Sequence, residues 1–204
     1  MWSLNNPFFN SVTSFISNLV PFETSQNDRF ERFKKMYEEV VHVINDLREH
    51  EEQKNRDWIT TTSVVQDLNQ MVDLLIEEEK EFEEKKGEED EMNKQTKLCL
   101  DYLLKHQIVD TFCGIAMIDE PTGSTELLLQ FLTRLFREIQ FPIFSSETIH
   151  ISISALVQKL IQIYQSNEIQ SSLKYSIIEF VEVSLILYFY FYRQFVKSFV
   201  RIVI

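Results

Sequence analysis

Glycine and proline are scarce: 3 Gly and 4 Pro stand among 204 residues, where average usage would give about 24. β-Sandwiches need turn residues roughly every ten positions, collagenous chains need glycine at every third, and phosphate-cradling loops need several glycines close together. All three are excluded. No Gly-x-Gly-x-x-Gly, P-loop, Cys-x-x-Cys or Gly-x-Ser-x-Gly pattern occurs, so the usual nucleotide, zinc-ribbon and serine-hydrolase signatures are missing. With 44% hydrophobic and 13% aromatic residues, the chain nonetheless has ample apolar surface for a core, and the expectation is nearly all helix.

Basic residues are also short, 20 Lys and Arg against 32 Asp and Glu for a net charge of −12. Between Glu77 and Glu91, ten acidic side chains face three lysines, which accounts for −7 of that total. A net-negative chain without a basic stripe repels a phosphate backbone, so nucleic acid is not an expected partner. The acidic run itself, broken at Gly87, reads as a solvated linker or frayed helix end, because crowded like charges bury nothing and keep ordinary pKa values.

Only two cysteines are present, Cys99 in LCLDYLL and Cys113 in TFCGIAM, apolar settings in which a free thiol acts as a small buried hydrophobe. There is no Asn-x-Ser/Thr sequon, and the first charged residue is Glu23, so the N-terminus lacks the basic start of a signal peptide. The expected compartment is cytoplasmic.

Helical periodicity runs through most of the chain. Trp2, Leu4, Phe8, Phe9, Val12, Phe15, Ile16, Leu19 and Val20 form one apolar face, which Pro21 is expected to end. A second helix is expected from a cap at Asn27 or Asp28, with Phe30, Phe33, Val40, Val41 and Ile44 on one face, closed by the polar stretch HEEQKNRD. A third starts at Thr61, Thr62 or Ser63 and carries Val64, Leu68, Met71, Leu74 and Leu75. From Lys94 to Ile118 one helix is expected, with Gly114 marking a kink or a close helix contact. The turn Asp119-Glu120-Pro121-Thr122-Gly123 leads to Ser124 or Thr125 as N-cap of a helix apolar on more than one face, Leu127 to Ile139, which must be buried between neighbours. Pro142 ends it, Ser145 or Ser146 with Glu147 opens the next, and a last apolar helix begins near Gln170. IHISIS alternates like a strand but has no partner, so it reads as loop or helix start.

Chemistry-bearing clusters are sparse. His42, His50, His106 and His150 are scattered, and His50-Glu51-Glu52 lacks the second histidine of a helical zinc site. His106 and Cys113 lie seven apart, enough to share a helix face, but nothing orients a base or supplies an oxyanion hole. No catalytic residue, cofactor site or metal ligand is assigned, and the chain reads as a non-enzyme.

At the C-terminus, Val183–Tyr192 is uncharged and about half the length of a bilayer span, and Arg193, Lys197 and Arg201 follow at intervals of four. Such a helix suits an anionic membrane surface or a partner protein, or forms an uncovered solenoid layer.

Residues 97–164 carry a series of short motifs: Asp101-Tyr102-Leu103-Leu104 with His106 and Ile108, Pro121-x-Gly123, Phe131-x-Thr133-Arg134-Leu135, Gln140-x-Pro142, and Val157-Gln158-Lys159-Leu160-Ile161. In this order and spacing they resemble the HOOK-interacting protein subunits of the FHF complex, also described as retinoic-acid-induced-like proteins, over roughly residues 8–180. Ser154-Ala155-Leu156 stands where that family has a His-Arg-Pro-like segment. The resemblance implies an α-helical, non-catalytic adaptor that joins Hook proteins and the Fused Toes homologue, and through a vesicle-bound small GTPase couples vesicles or endosomes to dynein-driven transport. Family members are longer, so the chain is expected to be a truncated form whose sequence after about Tyr188 departs from the family continuation.

The expected architecture is all-α, an antiparallel helical array that opens an α-solenoid. Its parts are residues 1–92, N-terminal helices ending in the acidic linker; 93–182, the family-like helical core; and 183–204, an apolar and basic tail. The alternative function is a membrane-associated helical protein held peripherally by that tail.

Overall fold

The computed structural model describes the backbone of residues 7–49, 57–85, 97–139, 147–165 and 170–203, and side chains within 26–49, 57–84, 97–139, 148–165 and 170–189. These residues form eight helices and no strand: α1 (Pro7–Glu49), α2 (Trp58–Thr61), α3 (Val64–Lys85), α4 (Leu98–Lys105), α5 (Ile108–Ile118), α6 (Ser124–Glu138), α7 (Glu147–Gln165) and α8 (Ser171–Val203). Trp2 and Leu4, the polar stretch from His50 to Arg56, Gly87, Pro142, Ser145 and Ser146 lie outside the described residues, as does the apolar face expected over residues 8–20.

Pro21 does not end the first helix. α1 runs through it and through Asn27 and Asp28 without a break. Proline forfeits one backbone bond, but its fixed φ is helical, and the long amphipathic run after it outweighs that loss. Of the residues expected on one face, Phe33, Val40 and Ile44 are fully buried and Phe30 and Val41 are partly buried against the core.

α2 was not foreseen from periodicity. It exists to seat Trp58, 1% exposed, whose indole N–H donates to the Thr122 carbonyl at 3.0 Å, so a buried aromatic with a polar edge is fully satisfied. Ser63 then opens α3 as expected: its carbonyl accepts from the Asp67 N–H at 2.9 Å, and its hydroxyl donates to Asp67 Oδ2 at 2.6 Å.

The acidic run behaves differently from a solvated linker. α3 continues to Lys85, and Glu78 and Glu79 are buried at 7% exposure each. Glu78 accepts from the backbone N–H groups of Cys99 at 2.9 Å and Leu100 at 3.0 Å, so a side chain 21 residues upstream fills the role of N-cap for α4. Arg29 of α1, 7% exposed, lies 3.8 Å from Glu77 and pairs closely with Glu81. Spacing along the sequence cannot reveal that a cation from 50 residues away compensates the run.

Burial raises the Glu78 carboxyl above its ordinary value of 4.5, against the lowering effect of the two backbone donors. A folded-state pKa above the unfolded one means the native state binds more protons in that window, so stability falls as pH rises from 4.5 through the folded value. Glu78→Gln keeps one acceptor and no titration. We expect the variant to be about 1 kcal/mol less stable at acidic pH, where it has lost one bond, and the gap to narrow toward neutrality, as read by urea unfolding across that range.

Residues 97–118 are not one helix. Gln107 adopts φ 51°, and its left-handed backbone separates α4 from α5. Gly114, expected to mark the kink, sits inside α5 with open space where a Cβ would be. α5 ends at Asp119, itself at φ 57°, and Gly123 at φ 96° precedes α6. Neither Ser124 nor Thr125 is the cap. Asp119 Oδ1 accepts from Gly123 N–H at 3.0 Å and Thr125 N–H at 2.9 Å, a longer carboxylate reaching donors that a serine within the first turn faces away from. The Thr125 hydroxyl instead donates to the Ala116 carbonyl at 2.7 Å, tying α6 back to α5.

α6 is the central element. Leu127, Leu128, Leu129, Phe131, Leu132, Leu135 and Phe136 are all buried, as expected for a helix apolar on several faces, and α3, α5 and α8 pack around it. Each such side chain contributes about 1.5–3 kcal/mol of burial. The packing pairs describe two rows: α1 meets α4, α4 meets α5 and α5 meets α7, while α3 meets α6 and α6 meets α8. Cross-contacts α1 to α3, α5 to α6 and α7 to α8 join the rows. Arg134 clamps α6 to α3 through Asn69 Oδ1 at 3.0 Å and Asp73 at 2.5 Å, and Arg137 reaches Glu179 of α8 at 3.0 Å.

Candidate functional site

Among the described residues, the side chains able to do covalent or acid–base work are not assembled. Cys99 and Cys113 are free, fully buried thiols. Desolvation is the main cause that pushes the Cys113 thiol up to about 12, with Asp110 adding to it. It raises Cys99 as well, reinforced by the adjoining Glu78. A thiol held protonated is a poor nucleophile and a poor metal ligand. His106 and Cys113 do not share a helix face, because the left-handed Gln107 lies between them: His106 is exposed and stacks on Tyr102 with centroids 4.0 Å apart, while Cys113 points into the core. Among the described residues no three His, Cys, Asp or Glu side chains converge as a metal would require.

An open cleft of about 420 Å³ lies between α1 and α4. Each wall carries both signs, Lys34 with Glu38 on α1 and Asp101 with Lys105 on α4, beside Phe30, Tyr102 and His106, a mixed-charge lining with no net preference for an anion or a cation. The Phe30, Phe33 and Tyr37 rings meet Tyr102 edge-on at 5.6, 6.3 and 6.2 Å, so this aromatic group is accounted for as the joint between the two helices.

The surface with an unmet demand is elsewhere. α7 and α8 flank a groove of about 490 Å³ lined by Ile161, Tyr164, Ile177, Ile178, Val181 and Leu185, with Gln165 and Glu182 as its polar members. Around it α8 exposes Tyr175 at 68%, Ile186 at 60%, Tyr188 at 55% and Phe189 at 68%. Isolated exposed hydrophobes are ordinary, but a contiguous set of this size on one helix is the usual mark of an interaction surface. The opposite side of α8 explains why the helix is held there: Ser176, Phe180, Val183 and Ser184 are buried, and Phe180 meets Phe136 of α6 at 6.2 Å between centroids.

Hydrophobic periodicity pointed to an apolar C-terminal helix but could not divide its residues between the two faces, since both are apolar. That division comes from the position of α6. No helix among the described residues is long and apolar enough to cross a membrane. No family model matches the chain, and no solved structure matches it, so the surface on α7 and α8 stands on its own geometry.

Proposed function

We propose that this protein is a non-catalytic helical scaffold, an adaptor that binds Hook-family protein and the Fused Toes homologue and works by tethering rather than chemistry. The solvent-open apolar groove between α7 and α8 is the observation that carries it. Desolvated thiols and dispersed histidines support the non-catalytic part, and the motif series over residues 97–164 supports the choice of partners. The paired rows of helices suit the opening of an α-solenoid, an architecture that presents extended protein-binding surfaces.

Co-purification with Hook and the Fused Toes homologue tests this, with a longer family member as positive control. Capture of both, reduced at least tenfold by Ile161→Asp, is the expected result. Retention of neither under conditions where the control retains both would reject it. A second reading, a peripheral membrane protein held by α8, draws on the exposed Tyr188 and Phe189; removal of residues after Glu182 would then release the chain from sedimenting vesicles.

A further inference from the structure

Among the described residues ten large hydrophobic side chains are exposed, and nine of them stand on α7 and α8. Along α8, Tyr175, Ile178, Leu185 and Phe189 share one exposed face with Glu182, at alternating steps of three and four. Ile161 and Tyr164 supply the α7 wall of the groove, and the buried Ile177 and half-buried Val181 belong to the same lining. α7 and α8 meet each other more sparsely than α7 meets α5 or α8 meets α6. Each is therefore held by the layer beneath, and a trough is left along their junction. A capping layer of a helical array carries a polar outer face, whereas this outer face is apolar. From Tyr175 to Phe189 it runs for about 21 Å at 1.5 Å per residue, four turns of a helix.

We propose that the occupant of this groove, on the reading of it as a protein-contact surface, is an amphipathic helix of a partner protein. That helix is about four turns long, has apolar anchors at steps of three and four, and carries a Lys or Arg that pairs with Glu182. Charge selects it first. Glu182 is the one charged residue of the lining, and it has no ion pair among the described residues, whereas Glu179 one turn earlier is paired with Arg137. Lys159 and Lys174, the cations of the described parts of α7 and α8, lie outside the lining. Burying Glu182 under apolar cover would cost heavily without an opposite charge on the covering surface. A second copy offers the same face, with its own Glu182 and no cation in the described lining. A lipid surface would have to accept that carboxylate amid the apolar face, from a chain whose net charge is −12. Area selects next. Ile161, Tyr164, Tyr175, Ile178, Leu185 and Phe189 are 44% to 68% exposed, and at roughly 100 Å² apiece they offer about 600 Å². That is less than the ~800 Å² per partner of a standard interface, well below an obligate dimer, and on the scale of one docked helix.

Fluorescence anisotropy of the full chain with two labelled peptides of about 15 residues tests this. Both peptides carry leucines at alternating steps of three and four; lysines flank that row in the first and glutamates in the second. The lysine peptide should bind at least tenfold tighter. Glu182→Gln should remove most of that preference and Glu182→Lys should reverse it. Ile178→Asp, at a half-exposed position and so without effect on the thermal melt, should abolish binding of both peptides. Failure of the lysine peptide to bind overturns the proposal, as does binding that Ile178→Asp leaves intact. A preference that Glu182→Gln leaves unchanged also overturns it, since it then reflects the overall charge of −12. Two other occupants are overturning outcomes. Sedimentation at twice the 24.4 kDa monomer mass that Ile178→Asp abolishes identifies a second copy, and sedimentation with phosphatidylserine vesicles that the same variant abolishes identifies a lipid surface. Hook capture retained by a chain that fails to bind the lysine peptide overturns the proposal and leaves the adaptor reading standing. Peptide binding with the expected preference, by a chain that captures neither Hook nor the Fused Toes homologue, supports the proposal and removes the adaptor reading alone.

Discussion

Phe112→Ala is expected to lower the free energy of unfolding by about 3–5 kcal/mol, the range for deleting a fully buried aromatic ring. Phe112 is 0% exposed and stands where three helices meet: its ring lies 5.2 Å from Phe131 of α6, edge to face, and 5.9 Å from Tyr37 of α1. Alanine there removes the contacts that join both rows of helices, and neighbours fixed by their own packing cannot collapse into the space. Since domains of this kind retain about 5–15 kcal/mol in all, the variant should unfold at markedly lower urea concentration with an unchanged slope. Loss of less than about 1 kcal/mol would mean that the Phe112 ring is not enclosed between Tyr37 and Phe131 as described.

Arg29→Met should cost about 3 kcal/mol, toward the lower end of the range for breaking a buried pair. The guanidinium is 7% exposed while Glu81 is 33% exposed, so part of the carboxylate penalty is relieved by water. The Glu81 Oε2 atom is already buried without a hydrogen-bond partner, and removing the arginine leaves the whole group uncompensated beside Glu77 and Glu78. Replacing both partners, Arg29→Met with Glu81→Leu, should recover most of the loss, because two apolar groups of similar volume carry no desolvation penalty. Arg134→Ala, which breaks a pair with 34% and 53% exposure, should cost no more than about 1 kcal/mol. Chemical denaturation of the three variants separates buried from surface charge; equal costs for Arg29 and Arg134 would refute the burial of the first.

Helix class was legible because breakers are rare and apolar spacing is regular from Phe30 to Val183. Helix ends were less so. Pro21 lies inside α1, and the break at Gln107 has no glycine or proline to announce it; both depend on what the flanking segments bury. Caps for α4 and α6 come from Glu78 and Asp119, outside the first turns they serve. The free thiols were recognisable as buried from their apolar neighbours, yet the separation of His106 from Cys113 follows from a single backbone angle. The α7–α8 groove could not be located from spacing, since exposed and buried positions on α8 are equally apolar.

Composition and period by themselves determined that this chain is all-α, that its core is aromatic and aliphatic, and that α6 lies within it, because 3.6-residue periodicity and the scarcity of glycine and proline are local properties. Tertiary structure alone decided which charges are buried, where α4 ends, and which side of α8 meets α6 and which meets solvent. Those outcomes depend on groups distant in sequence arriving within a few ångströms, as Arg29 reaches Glu81 and Phe136 reaches Phe180, and burial energies act only once that arrival has occurred.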